Sequence, residues 1–137
     1  MNNEVKKFPE FFPNLCPPKE AKEENILVYR LTKNSPATEK DFLSHVLLYP
    51  NKKYTDIKAY GLSVFEDYNE IKNALNLNPR LRKFKYISYG NTFEYTGVIL
   101  RTSNERSNYK SHITWWLYKN IYPHTYFNIR KDGEKSE

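Results

Sequence analysis

The sequence predicts an α+β fold, a mainly antiparallel sheet with two packed helices in a single small domain. Two observations lead there. Residues 26–31 and 59–65 are short runs rich in β-branched and aromatic side chains, and each precedes a segment with apolar residues at helical spacing. From residue 80 onward the chain consists mostly of strand-like runs separated by turn residues. Its 137 residues, of which 16% are aromatic, are enough to bury one core without disulfides or metal.

Residues 1–25 read as an arm. Phe8, Phe11 and Phe12 are interleaved with Pro9 and Pro13, and Cys16-Pro17-Pro18 follows, so neither a helix nor a central strand is expected. Two readings stand for it: packing of Phe11, Phe12 and Leu15 on its own domain, or docking of Phe8, Phe11 and Phe12 into another protein. Ile26 to Leu31 is a strand whose unbroken apolar character suggests burial on both faces. Asn34-Ser35-Pro36 is a turn. Thr38, with Asp41 three residues on, begins a helix carrying Phe42, Val46 and Tyr49 on one stripe, and Pro50 stops it.

Residues 51–58 form a polar loop before the strand at 59–65. A second helix starts at Asp67, capped reciprocally by Glu70, with Ile71, Ala74 and Leu75 inward; Asn78-Pro79 closes it. Runs 80–89 and 92–102 are expected to pair as a hairpin through Gly90-Asn91. Residues 112–121 fit a helix and a strand equally. Residues 126–129 form a short last strand, the domain spans 26–130, and 131–137 is a loose tail.

Charge is distributed unevenly. Residues 1–79 hold eleven Lys/Arg and eleven Asp/Glu, whereas residues 80–130 hold nine Lys/Arg against Glu94 and Glu105 alone. Clustered positive charge attracts phosphate or acidic surfaces. Arg80, Arg82, Lys83 and Lys85 are interleaved with Phe84 and Tyr86, and Arg101 and Arg106 follow. Cations in a row with aromatic faces between them suit a single-stranded nucleic acid or a nucleotide. The bland reading is a solvated strand face kept from aggregating by its lysines.

His112 beside the Trp115-Trp116 pair, with His124 beyond, suggests either a ligand-binding or acid–base group or a hydrogen-bonded structural side chain. Neighbouring tryptophans point to opposite sides of a strand, so one is expected in the core and the other at a groove. His45, His112 and His124 lack the spacing of a helical metal pair, and Cys16 is the only cysteine, so no metal site is expected. Four unclustered glycines exclude the phosphate-loop and dinucleotide fingerprints. No apolar run reaches the length of about 20 residues that spans a bilayer, and no leader signature opens the chain, so a cytoplasmic protein with no membrane partner is expected.

Arg30 at the end of one strand, Ser63 in a second and Glu94 in a third follow an order that resembles the arginine–serine–glutamate pattern of ADP-ribosyltransferases. The resemblance covers three residues; Gly61-Leu62-Ser63-Val64 stands where that family commonly has Ser-Thr-Ser, and Phe93-Glu94-Tyr95 has a single acid. It implies NAD as substrate, with Arg30 on the nicotinamide nucleotide, Ser63 shaping the pocket and Glu94 stabilising an oxocarbenium ion; His112 is a further catalytic candidate on its own chemistry, outside the resemblance. The reading preferred from the residues themselves is a small binding protein without a cofactor. It engages an anionic partner as an accessory subunit of a larger assembly. The Lys-, Asn-, Ile- and Tyr-rich composition matches an AT-rich bacterial or phage gene.

Overall fold

Six strands form one sheet in the computed structural model, which describes residues 6–103 and 109–131. They are β1 (Leu27–Thr32), β2 (Leu62–Phe65), β3 (Tyr86–Asn91), β4 (Gly97–Arg101), β5 (His112–Leu117) and β6 (Asn128–Arg130). Across the sheet they run β4-β5-β2-β1-β3-β6, and every pairing is antiparallel. Two helices accompany them, the single turn α1 (His45–Leu48) and the ten-residue α2 (Tyr68–Leu77). The α+β class holds, with the sheet dominating; no described helix is long and apolar enough to cross a membrane. Arg106 and the tail from residue 132 lie outside the described residues.

Both faces of the sheet are covered, as the apolar run at 26–31 implies. Val28, Leu62, Val64, Ile99, Ile113 and Trp115 form one face, covered by Phe42 and Phe127. Tyr29, Phe65 and Ile87 form the other, against Ile71 of α2. The sheet also curls. Lys22, just before β1, exchanges both backbone hydrogen bonds (2.9 and 2.8 Å) with Ile99 on the edge strand β4, although two strands separate β1 from β4 in the sheet order.

The arm lies on its own domain. The Phe8 ring sits 5.6 Å from Phe12 and 4.8 Å from Tyr118, and Phe12 meets Tyr60 at 5.9 Å. Lys6 pairs with Glu23, and Lys119 with Glu10. Leu15 does not pack as expected and is 88% exposed. The Cys16 N–H bonds the Pro13 carbonyl, so Leu15 occupies the third position of a tight turn at φ 66°. That geometry turns the side chain outward.

Three further expectations are corrected. Residues 80–85 are not a strand: Asn78 ends α2, and its side chain also accepts the Arg80 N–H, opening a 3-10 turn at Pro79–Leu81. An Asn cap followed by proline is a helix-start signal, and here it outweighs the alternation downstream. Gly90-Asn91 is not a hairpin either. The chain runs straight through it, because all six residues of β3 pair with β1. Gly90 serves packing instead: a Cβ there would lie 2.5 Å from the Phe127 ring. Finally, the helix expected from Thr38 is interrupted. A 3-10 turn at Glu39–Phe42 leads through extended Leu43 and Ser44 into α1, because Phe42 is drawn into the core against Phe127 at 4.9 Å. Residues 112–117 are strand.

Candidate functional site

The cationic residues of the second half do not form one surface. Arg101, on β4, is held by Glu24 (2.9 Å) and Glu66 (2.8 Å), both from the charge-balanced first half, and its guanidinium stays charged well above its usual range. Three strands separate β4 from β3, so Arg101 stands apart from the turn that carries Arg80, Arg82, Lys83 and Lys85.

That turn remains a cationic corner. All four side chains are exposed, and none has a carboxylate within ion-pair distance among the described residues. Lys83 rides over the half-buried Phe84 ring at 5.4 Å, and Tyr86 is exposed at the start of β3. A second segment adds to the same field. Partial burial lowers the pKa of His45 on α1, and the positive charges of Arg30, Lys83 and Lys52 lower it further. Lys52 and Lys83, from separate loops, thus both add to the positive field felt at His45, a combination that linear spacing does not reveal.

Arg30, Ser63, Glu94 and His112 do not meet. Arg30 shares a face with Val28 and packs its guanidinium over Phe42 at 5.5 Å, donating to the carbonyls of Asp41 (2.7 Å) and Ser63 (2.8 Å). Burial pulls its pKa to about 10, partly offset by Asp41, so it stays charged at neutral pH. Ser63 alternates with Leu62 and Val64, so its exposed hydroxyl lies on the opposite face and only its carbonyl touches Arg30. Glu94 is exposed in the reversal after β3, three residues past Asn91, which pairs with Leu27. At about 3.3 Å per residue, Leu27 alone is about 10 Å along β1 from Arg30.

His112 is hydrogen-bonded through Nδ1 to the Thr102 hydroxyl at 2.7 Å and stands edge-on to Phe65. Burial holds its pKa below the usual histidine value, assisted by Lys58 and opposed by Glu70. Both His45 and His112 thus titrate lower when folded. Between folded and unfolded values the unfolded chain binds more protons, so stability is full above pH about 6.5 and falls as pH drops through the folded values. Urea midpoints at pH 7.5, 6.0 and 5.0 should decline, and His112→Gln should flatten the decline. Equal midpoints for the natural chain would refute the assignment.

No family model, curated protein or solved structure matches this chain. Its sites therefore rest on geometry.

One site was only half visible in the sequence. A cavity of about 180 Å³ opens between the arm, the turn at Glu39–Phe42, the end of β5 and the loop leading to β6. Phe11, Phe42, Leu62, Trp115 and Tyr122 supply its apolar walls. Trp115 and Trp116 are both fully buried, correcting the expectation that one would face a groove from the surface. Trp116 donates its indole N–H to the Ile57 carbonyl at 3.1 Å on the opposite face. Beside it, burial raises the Cys16 thiol to about 11, so it is protonated and unreactive at neutral pH.

A larger hollow of about 620 Å³ beside α2 is lined by Asp67, Glu70 and Asn78. These acceptors are already occupied. Asp67 takes the N–H groups of Asn69 and Glu70, and Asn78 takes that of Arg80. Glu70 does not cap reciprocally as expected, because its carboxylate instead receives the N–H of Lys110 and both the N–H and hydroxyl of Ser111.

Proposed function

We propose that the protein is a small accessory binding protein that engages an anionic partner, nucleic acid or nucleotide, through the corner of Arg80, Arg82, Lys83 and Lys85. The observation that carries this reading is four exposed cations free of carboxylate partners among the described residues, reinforced by Lys52 from a separate loop. Unneutralised cations release counterions from a polyanion, whereas an Arg already held by two carboxylates contributes little. Phe84 and Tyr86 add aromatic surface for bases. The NAD-transferase alternative has no comparable support, since Arg30 and Ser63 direct their side chains to opposite faces. Docking through Phe8, Phe11 and Phe12 is disfavoured by the ring contacts that Phe8 and Phe12 make with Tyr118 and Tyr60.

Binding of a labelled single-stranded 20-mer, titrated from 50 to 300 mM salt, tests the proposal. Three to four phosphate contacts should give a log–log slope of roughly −2 to −3, and the combined Arg82→Ala, Lys83→Ala and Lys85→Ala variant, which keeps Arg80, should reduce it to between zero and about −0.7. Arg101→Ala should leave it unchanged. Absence of binding at 50 mM salt, or equal slopes for the natural chain and the triple variant, would overturn the reading.

A further inference from the structure

The cavity beneath the arm contains an unusual concentration of unmet hydrogen-bonding capacity. Ser44 Oγ, Trp115 Nε1 and His124 Nδ1 are buried and have no hydrogen-bond partner among the described residues, and all three residues line this one hollow. Trp115 is fully buried and Ser44 is 6% exposed. A buried indole N–H ordinarily finds an acceptor, and a native fold leaves few such groups unpaired. The set combines a fixed donor, a hydroxyl that gives or accepts, and an imidazole nitrogen whose role follows its tautomer.

Much of the remaining wall is aromatic and aliphatic, with Phe11 of the arm on one side and Phe42 and Tyr122 on others. Two charged residues line the cavity too: Lys119, whose ammonium is paired with Glu10, and Glu39, which is exposed. The three unpartnered buried atoms are all on uncharged donor or acceptor groups, or on an imidazole, which suits an occupant with a neutral polar edge. A volume of about 180 Å³ is close to that of an engineered cavity that admits one benzene ring, about 150 Å³.

From these features we infer a binding site for a neutral, single-ring aromatic molecule carrying a carbonyl or amide edge. The ring lies among the aromatic walls, and the polar edge accepts from Trp115 and exchanges a hydrogen bond with Ser44 or His124. This site is independent of the cationic corner, since they share no residue. It also gives the arm a role within its own chain, because Pro9, Phe11 and Phe12 form part of the wall.

The test is calorimetric and fluorescence titration of the full chain with benzamide and with benzene. Benzamide should bind with a dissociation constant below about 1 mM, and benzene more weakly. Ser44→Ala removes only an unpartnered hydroxyl, and Trp115→Phe keeps most of the ring volume while deleting the N–H. At least one of these variants should weaken benzamide about tenfold, with benzene affinity changed less than threefold. Thermal unfolding of each variant verifies that it is folded. No benzamide binding at 10 mM, or equal benzamide affinity in the natural chain and both folded variants, overturns the proposal. A tyrosyl peptide that binds more tightly than benzamide would also overturn it, assigning the hollow to a protein partner.

Discussion

Gly97→Ala should lower the thermal midpoint by about 10 °C, which corresponds to roughly 3 kcal/mol for a domain of this size. A Cβ at this position would lie 2.1 Å from the Trp116 carbonyl oxygen and 2.9 Å from the Leu117 Cα. Those atoms belong to the backbone of the paired strand, so no side-chain rotation relieves the clash. β4 has to move away from β5, which loosens the Gly97–Leu117 and Val98–Trp116 pairings and opens the core at Ile99 and Trp115. Gly61 provides the contrast. Its nearest neighbour is a Thr114 methyl at 2.6 Å, so part of the strain at Gly61→Ala can be taken up by a side chain. Calorimetry on both variants checks the ranking; a Gly97→Ala midpoint within 2 °C of the natural protein would refute it.

Asp41→Ala should be comparably damaging, with a loss of about 4 kcal/mol in urea unfolding. Its buried carboxylate accepts the Lys33 N–H (2.8 Å) through one oxygen. The other oxygen accepts from the Asn34 amide (3.2 Å), the Thr38 N–H (2.8 Å) and the Thr38 hydroxyl (3.3 Å). Truncation strands these donors and removes the negative charge beside the partly buried Arg30. Asp41→Asn should recover less than half the loss, because its NH₂ group faces donors at one of the two positions. Full recovery by asparagine would show that charge and dual acceptance are unimportant.

The sequence conveyed the layers of this fold better than its connections. The strand at 26–31 and the Asp67 cap of α2 were legible because burial on both faces and an N-cap aspartate leave local marks. The fate of Gly90 was not legible, since its reason lies 37 positions away in the Phe127 ring. The same holds for Arg101, whose carboxylate partners are 77 and 35 residues distant. Glu70 matched a capping pattern, but Ser111 offered it better donors from across the fold. In the cavity, His124 and Trp115 are residue types that stand out in a sequence. Ser44 carried no signal, because an orphaned hydroxyl is a property of three-dimensional packing.

The strand order carries a consequence for synthesis on the ribosome. β1 is made first and lies near the centre, yet its long partner β3 is complete only at Asn91, and β5, which joins β4 to β2, only at Leu117. Phe8 and Phe42 find their aromatic partners at Tyr118 and Phe127. Phe8 and Phe42 thus lack these partners until Tyr118 and Phe127 have been synthesised. Apolar surface left open in that interval is the kind that favours aggregation over folding.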